Sequence, residues 1–255
     1  MSDVLLSLRE VSMHFGGLKA LDRVSFDLHQ GEILGLIGPN GAGKTTCFNT
    51  VSGVYRPTSG EIDFGGVRTD GLPPHRMAAL GIGRTFQIVR PFPELTVLDN
   101  VVVAMGLRCY GGFLSSCGSW KGARVRKGAM ALLEKVGLEG TASSKAGLLP
   151  LGNLRRLEIA RALALEPKLL LLDESFSGLR HEEIEMQEQL VRTTRQEGIS
   201  ILLIEHNMRV AMGLSDRLVV LDHGIKLTEG SPEEVRRNPD VIRAYLGKGG
   251  ETHAA

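Results

Sequence analysis

Apolar residues occur along the chain both in short runs and in helical repeats, and together they predict an α/β protein. Short, largely apolar runs are typical of strands buried on both faces of a parallel sheet. They cover Ile33–Ile37, Leu169–Leu172 and Ile199–Ile204. Glu182–Gln196, between the last two runs, is polar and rich in helix formers, so it predicts a crossover helix.

Alternation of polar and apolar residues predicts antiparallel strands near both ends of the chain. Glycine-containing turns separate these segments, as expected of hairpins. The predicted strands are Val4–Leu8 and Ser25–His29 around Gly16-Gly17, Glu61–Phe64 before Gly65-Gly66, and Arg217–Leu221 and Ile225–Thr228 around Asp222-His223-Gly224.

Helical spacing and capping residues predict a helical section from about Pro91. Thr96 has the character of an N-cap, with Asp99 three residues later. The other predicted helices are Arg124–Val136, Leu154–Leu165 before Pro167, and one that begins at Ser231-Pro232. Tyr110–Gly122 is rich in Gly and Ser and predicts a loop, whose role the sequence does not indicate.

Composition excludes several classes of protein. The chain has 255 residues with 30 Lys+Arg and 29 Asp+Glu, a balance that does not favour nucleic-acid binding. Three cysteines without metal-ligand spacing favour a reducing compartment. The N-terminus does not resemble a signal peptide. No apolar run approaches the roughly 20 residues that span a bilayer, so any membrane role is predicted to be peripheral.

The decisive motif follows the apolar run Ile33–Ile37 and has the form G-x-x-x-x-G-K-T. Its glycines let the backbone wrap around a polyphosphate, Lys44 adds positive charge for the β- and γ-phosphates, and the Thr45 hydroxyl can bind Mg²⁺. A helix predicted from Gly43 directs its N-terminus at the anion. The order of strand, loop and helix argues against a chance match. The predicted nucleotide-binding residues are Gly38, Pro39, Asn40, Gly41, Ala42, Gly43, Lys44, Thr45 and Thr46.

A second feature is the pair of carboxylates that ends the run Leu169–Leu172. The carboxyl edge of a parallel sheet is where α/β proteins bind ligands. Asp173 is therefore predicted to hold Mg²⁺ and Glu174 to polarise the water that attacks the γ-phosphate. A solvated strand end is the alternative, which the upstream phosphate loop disfavours.

Three further residues are candidates with weaker local signals. Gln87 precedes the helical section, where its amide can contact Mg²⁺ or the attacking water; a surface glutamine is the alternative. His206 follows an apolar strand and can hydrogen-bond the γ-phosphate, although a lone histidine is more often structural. Phe15, before the Gly16-Gly17 turn, can stack on a purine base.

These motifs, in this order over nearly the whole chain, resemble the nucleotide-binding subunit of ATP-binding cassette (ABC) transporters. The resemblance implies a P-loop NTPase core with a mostly parallel sheet, an N-terminal antiparallel section and an inserted helical sub-domain. Phe15 falls at the adenine-stacking aromatic, Gln87 at the glutamine loop and Leu169–Glu174 at the Walker B strand. His206 matches the switch histidine, and Ser177-Gly178-Leu179 falls at the loop through which two subunits communicate.

The sequences of several segments are similar to those of the ATPases of branched-chain amino-acid importers. Urea importers and the lipopolysaccharide-export ATPase share much of this sequence, so the transported substrate stays open. The segments are Phe15–Leu21, Gly83–Gln87, Ile204–Met208, Glu229–Val235 and Ala244–Gly247.

Two departures from the family pattern concern the signature and the residue after Walker B. Leu149-Pro150-Leu151-Gly152-Asn153 stands where the signature normally reads Leu-Ser-Gly-Gly-Gln, and Ser175 replaces a proline. Pro150 has neither a hydroxyl nor a backbone N–H for a partner's γ-phosphate, while Gly152 remains as a candidate nucleotide contact.

The resemblance implies a single ABC ATPase domain over 1–255, with a core of 1–90 and 166–255 and an inserted sub-domain of 91–165. It implies ATP and Mg²⁺ as ligands, and catalysis by Lys44, Glu174 and His206. It also implies a second cassette and membrane permeases as partners, indirectly a substrate-binding protein, and a peripheral place on the cytoplasmic face of the inner membrane. Two alternatives stay open: a weakly hydrolysing subunit that pairs with an intact cassette, and a soluble cassette ATPase that acts on ribosomes or DNA.

Overall fold

The computed structural model describes residues 3–85, 91–109 and 122–246. These residues form two compact units, one drawn from Met1–Met77 and Gly198–Ala255 (unit 1) and the other from Ala78–Glu197 (unit 2). Each unit contains both strands and helices, which confirms the predicted α/β class. The division into a core of 1–90 and 166–255 and an insert of 91–165 stays a prediction.

Unit 1 contains an antiparallel sheet in the order β2-β1-β4-β5. Register shifts between Leu8 and Met13 interrupt the alternation of inward and outward side chains. This explains why the sequence predicted only the ends of two 12-residue strands. Gly65 and Gly66 both have positive φ, the geometry of the predicted two-residue hairpin turn. The strands are β1 (Val4–Phe15), β2 (Leu18–His29), β4 (Ser59–Phe64) and β5 (Val67–Arg68).

A second group of strands in unit 1 is centred on β3 (Ile33–Ile37), with β8 (Ser200–Ile204) and β9 (Arg217–Asp222) parallel to it on either side. Every residue of β3 and β8 is buried, as the apolar runs predict. β10 (Ile225–Gly230) pairs antiparallel to β9 and completes the predicted hairpin. The helices of this unit are α1 (Lys44–Val51), α7 (Met208–Leu214), α8 (Pro232–Arg237) and α9 (Pro239–Leu246).

Unit 2 contains a parallel pair of strands and a group of helices. β6 (Ile82–Arg84) pairs with β7 (Leu169–Asp173). The Thr96 hydroxyl accepts a hydrogen bond from the Asp99 amide at 3.0 Å, which confirms the predicted N-cap. The helices are α3 (Val97–Cys109), α4 (Ala123–Lys135), α5 (Leu151–Leu163) and α6 (His181–Gln196), and α3 contacts both α4 and α5.

Among the strands and α-helices of the described residues, four short ones were not predicted from the sequence: β6, α7, α9 and α2 (Pro74–Leu80), within which the boundary between the units falls. Each has eight residues or fewer, so a repeat of apolar positions is too short to recognise. Among the residues that the structure describes, no helix has the length and apolarity needed to cross a membrane.

Candidate functional site

The backbone of the loop after β3 lies close to the backbone of other segments. Gly38 has φ 150° and Gly43 has φ 100°. A Cβ on Gly38 would lie 2.1 Å from the Leu221 carbonyl oxygen, and one on Gly43 would lie 2.5 Å from the Ala20 carbonyl oxygen. Side chains are therefore excluded at both ends of the loop. The bare backbone N–H groups that remain suit an anion.

Helix α1 begins directly after this loop, at Lys44. Its N-cap is Gly43, which provides no side-chain hydrogen bond to the first turn. The Lys44 side chain is buried, and its Nζ donates to the carbonyl oxygens of Gly38 at 2.7 Å and Pro39 at 3.0 Å. The loop, the ammonium group and the positive end of a helix are thus combined in one place, as the sequence predicts.

His206 emerges at the same edge of the sheet as the phosphate loop. β3 and β8 are parallel, and Leu36 lies opposite Ile204, so the residues that follow the two strands leave in the same direction. The strand ends at Ile204, two residues before His206, whose side chain is exposed. Asn207 then caps α7, because its side-chain oxygen accepts the amides of Arg209 and Val210.

Phe15 ends β1 and is 43% exposed, so part of the residue is accessible to a ligand. The ring makes an edge-to-face contact with Tyr55, with centroids 5.3 Å apart and planes at 78°. Sequence reasoning missed Tyr55, which follows α1 and lies 40 positions away in the chain. Nothing local in the sequence marks this contact.

Asp173 is the last residue of the buried strand β7, and Glu174 follows it directly. Asp173 is 1% exposed, while Glu174 is partly exposed. Glu174 has φ 47°, a left-handed conformation that costs a non-glycine residue roughly 1–3 kcal/mol. Strain of this kind concentrates at functional sites, where the surrounding structure holds it in place.

A buried polar cluster in unit 2 supports the backbone on both sides of Glu174. The Asp173 amide donates to the Thr85 hydroxyl at 3.3 Å, and the hydroxyls of Thr85 and Ser175 lie 3.4 Å apart. The Gln187 side chain donates to the Ser175 carbonyl oxygen at 2.6 Å. Ser175, which departs from the family pattern, therefore joins a cluster that sequence reasoning missed.

The atypical signature segment forms the start of α5, also within unit 2. Pro150 is the N-cap, with φ −64° and ψ 160°, and makes no side-chain hydrogen bond to the helix. Gly152 is buried, and a Cβ there would lie 2.4 Å from the Glu183 carboxylate. Asn153 accepts a hydrogen bond from Arg156 at 2.7 Å. Pro150 therefore leaves the start of α5 without a hydroxyl.

The turn after Glu174 lies against this same helix. Gly178 has φ 78°, and a Cβ there would lie 2.9 Å from the Leu151 side chain. The Ser177 amide donates to the Glu174 carbonyl oxygen at 3.2 Å, which links the turn to Glu174. Unit 2 thus brings together the segment Asp173–Gly178 and the start of α5.

Gln87, predicted to contact the nucleotide and the metal, lies outside the described residues. The described ranges contain no group of three or more His, Cys, Asp and Glu side chains that forms a metal cage. The predicted Mg²⁺ ligands Thr45 and Asp173 lie in units 1 and 2, respectively.

Two family models match the chain. Residues 21–177 match the model described as "ABC transporter". Residues 226–251 match the model described as "Branched-chain amino acid ATP-binding cassette transporter". The first match covers more than half of the chain and includes the phosphate loop, Asp173 and Glu174.

Known proteins are similar over almost the whole chain. The high-affinity branched-chain amino acid transport ATP-binding protein LivG of Salmonella typhimurium is 44% identical over 256 residues, covering 97% of this chain and all of LivG. The ADP conformation of MJ1267, an ATP-binding cassette of an ABC transporter, has a TM-score of 0.86 at 31% identity, covering 96% of this chain and all of that one. A dimeric post-hydrolysis cassette, MJ0796 bound to ADP and Pi, has a TM-score of 0.78 at 27% identity, covering 89% and 99%.

Proposed function

The chain belongs to the ABC transporter ATP-binding family, and from this premise we propose that it drives the import of branched-chain amino acids or a related small polar solute. Membership makes it an ATPase and the ATP-binding subunit of a transporter. The observation that carries the proposal is the similarity to LivG over the whole chain, including a C-terminal segment that matches a branched-chain amino-acid model.

Nucleotide binding is assigned to Gly38–Thr46, which comprises the loop after β3 and the first three residues of α1. The loop fits a polyphosphate because Cβ atoms are excluded at Gly38 and Gly43 and the first turn of α1 has no side-chain cap. Lys44 binds the β- and γ-phosphates, which compete with the Gly38 and Pro39 carbonyl oxygens for its ammonium group. Phe15, supported by Tyr55, stacks on the adenine.

Magnesium is the metal that these residues fit, because it prefers oxygen ligands and completes its shell with substrate phosphate and water. The Thr45 hydroxyl and the Asp173 carboxylate are such ligands, and Gln87 is a third proposed ligand. Bound Mg²⁺ neutralises charge that develops on the phosphates. Glu174 orients the attacking water, and His206 donates a hydrogen bond to the γ-phosphate.

The proposed partners are a second cassette and membrane permeases, as in the family. Unit 2 has a mostly apolar pocket of about 250 Å³ beside the half-exposed Phe92, whose ring lies 5.3 Å from the Arg161 guanidinium carbon. We assign this pocket to a permease segment that carries an apolar side chain. The chain is then held peripherally at the cytoplasmic face of the inner membrane, and a substrate-binding protein acts on the permeases from the other side.

A second candidate function is an ATP-binding subunit that hydrolyses weakly and relies on a partner with an intact signature. Pro150 favours it, because the N-cap of α5 offers neither a hydroxyl nor an N–H. Glu174 and His206 favour hydrolysis of this chain's own ATP, so we expect reduced rather than absent turnover.

The test is ATP-dependent uptake of labelled leucine, with urea as the comparison solute. The chain is co-expressed with the permease and the binding protein of its genomic neighbourhood. In a separate measurement, inverted membranes are washed at low salt, and the fraction of the chain that they retain is measured. We expect leucine uptake above background, no urea uptake, and retention only with the permease.

Lys44→Ala is the matched control, because it removes the proposed phosphate contact and should abolish uptake while the complex still assembles. Urea uptake without leucine uptake would overturn the substrate assignment. Recovery of the chain wholly apart from its permease would overturn the transport role.

A further inference from the structure

Three buried polar side chains of unit 2 hold the backbone on both sides of Glu174. Thr85 follows β6, Ser175 follows Glu174 directly, and Gln187 lies on α6. None of the three is more than 2% exposed. Burying polar groups lowers stability unless each finds a hydrogen-bond partner, so the bonds that these three make are the key to their role.

The Thr85 hydroxyl is the centre of this polar cluster. It donates to the Leu171 carbonyl oxygen at 3.3 Å and accepts from the Asp173 amide at 3.3 Å. Because a hydroxyl has only one proton, the 3.4 Å contact with the Ser175 hydroxyl is then a bond that Ser175 donates. One oxygen therefore binds the residue before Glu174 and the residue after it.

Gln187 holds the other polar group of Ser175. Its Nε2 donates to the Ser175 carbonyl oxygen at 2.6 Å. Within the described part of the chain, its Oε1 has no hydrogen-bond partner. A leucine would fill a similar space without burying an amide. What the glutamine supplies at this position is therefore the bond to Ser175.

Helix α6 gives Gln187 a fixed base. Glu183 lies four residues before Gln187, so both are on one face of the helix. The Glu183 carboxylate accepts the Arg180 amide at 2.9 Å, and it occupies the space that a Cβ on Gly152 would need. The start of α6 is thus capped and rests against the start of α5.

These contacts surround a residue in an unfavourable conformation. Glu174 has φ 47°, and such a conformation persists only where the surrounding structure imposes it. We propose that Gln187 is a positioning residue for Glu174: with Ser175 and Thr85 it maintains the left-handed conformation from which the Glu174 carboxylate orients the attacking water. The inference rests on the proposed role of Glu174 in ATP hydrolysis.

The proposal also gives Ser175 a purpose. The family pattern has a proline at this position, and a proline ring fixes its own φ. Serine has no such restriction, so in this chain the segment after Glu174 depends on the hydrogen bonds of the polar cluster instead.

The test variant is Gln187→Leu in the full chain, which keeps much of the side-chain volume and removes the donor. Without this bond, Glu174 relaxes for part of the time, which lowers turnover. Nucleotide binding should not change, because the phosphate loop belongs to unit 1. We expect the kcat for ATP hydrolysis to fall about two- to tenfold, the equilibrium value of one neutral hydrogen bond, with the Kd for Mg-ADP unchanged.

Three further variants separate positioning from general destabilisation. Ser175→Ala removes the bond to Thr85 and should lower kcat to a similar extent by a second route. Gln189→Leu makes the matched substitution at an exposed position of α6 and should leave kcat unchanged. Leu190→Ala removes buried packing from the same helix, so it should lower the unfolding midpoint more than Gln187→Leu does and kcat less.

An unchanged kcat in Gln187→Leu would overturn the inference. So would an equal loss of kcat in Leu190→Ala, or a loss of Mg-ADP affinity in Gln187→Leu as large as its loss of kcat. Glu174→Gln distinguishes this failure from failure of the proposed function. If Glu174→Gln keeps normal turnover, the role of Glu174 fails first; if it loses turnover and Gln187→Leu does not, only the inference about Gln187 fails.

Discussion

Replacing Pro150 with serine should raise the ATPase rate of the purified protein several-fold. The family resemblance gives the signature serine a hydrogen bond to the γ-phosphate held by the partner cassette. Such a charge-assisted bond is worth roughly 1.5–3 kcal/mol. If all of it appeared only in the transition state, the rate would rise by about one to two orders of magnitude. Part of it also stabilises ATP-driven closure, which reduces the expected gain.

The substitution is compatible with the local structure. Pro150 is the N-cap of α5 with φ −64° and ψ 160°, a conformation that serine adopts without strain. A serine cap adds about 0.5–2 kcal/mol of stability, and loss of the rigid proline ring removes about 0.4–1 kcal/mol. The net change in stability is therefore small or favourable, so a higher rate should not result from a loss of folded protein.

The assay is steady-state phosphate release at saturating Mg-ATP, at a protein concentration high enough for dimerisation. Pro150→Ala is the matched control, because it restores the backbone N–H without supplying a hydroxyl. Asn153→Gln added to Pro150→Ser should contribute less than the serine. An unchanged or lower rate in Pro150→Ser would contradict the prediction. An equal gain in Pro150→Ala would show that the restored N–H, and not the hydroxyl, causes the increase.

Two further predictions concern unit 1. Glu32→Gln should lower the unfolding free energy, measured by urea denaturation, by about 1–2 kcal/mol. The reason is that the mostly buried Glu32 carboxylate accepts hydrogen bonds from Arg217 Nε at 2.8 Å and from the His29 amide at 2.7 Å. Glu61→Gln, which breaks an exposed pair with Arg68, should cost under about 1 kcal/mol, and an equal or larger cost would contradict this ranking. Burial raises the pKa of the Cys47 thiol to about 12, so Cys47 stays protonated at pH 8 and should resist iodoacetamide until urea unfolds the protein. Equal labelling of the Cys47 peptide in folded and unfolded protein, measured by mass spectrometry, would show that the Cys47 thiol is not protected by burial.

The sequence predicted the elements whose signals are local. The apolar run Ile33–Ile37 is observed as β3 with the same boundaries, and the capping residues Thr96 and Ser231 begin helices as expected. The strands β1 and β2 were underestimated because their register shifts break the alternation on which the prediction depends.

Residues that support the site from a distance were not predictable in the same way. Tyr55 contacts Phe15, and the Gln187 side chain donates to the Ser175 carbonyl oxygen, yet each partner is at least twelve positions away in the chain. Such contacts depend on how distant segments pack, and a single sequence shows only the residue types. Ser175 illustrates this, because its departure from the family pattern was visible while its hydroxyl partner Thr85 was not.

The most direct test of the proposed ATP hydrolysis is the comparison of ATP binding and ATP turnover in Glu174→Gln. Glutamine keeps the size of the side chain but cannot act as the carboxylate that orients the attacking water, so it should affect the transition state more than the ground state. We expect Mg-ATP affinity close to that of the unaltered protein and turnover reduced at least about a hundredfold, whereas Lys44→Ala should lose affinity. Normal turnover in Glu174→Gln would contradict the assignment of Glu174 and, with it, the proposed route of hydrolysis.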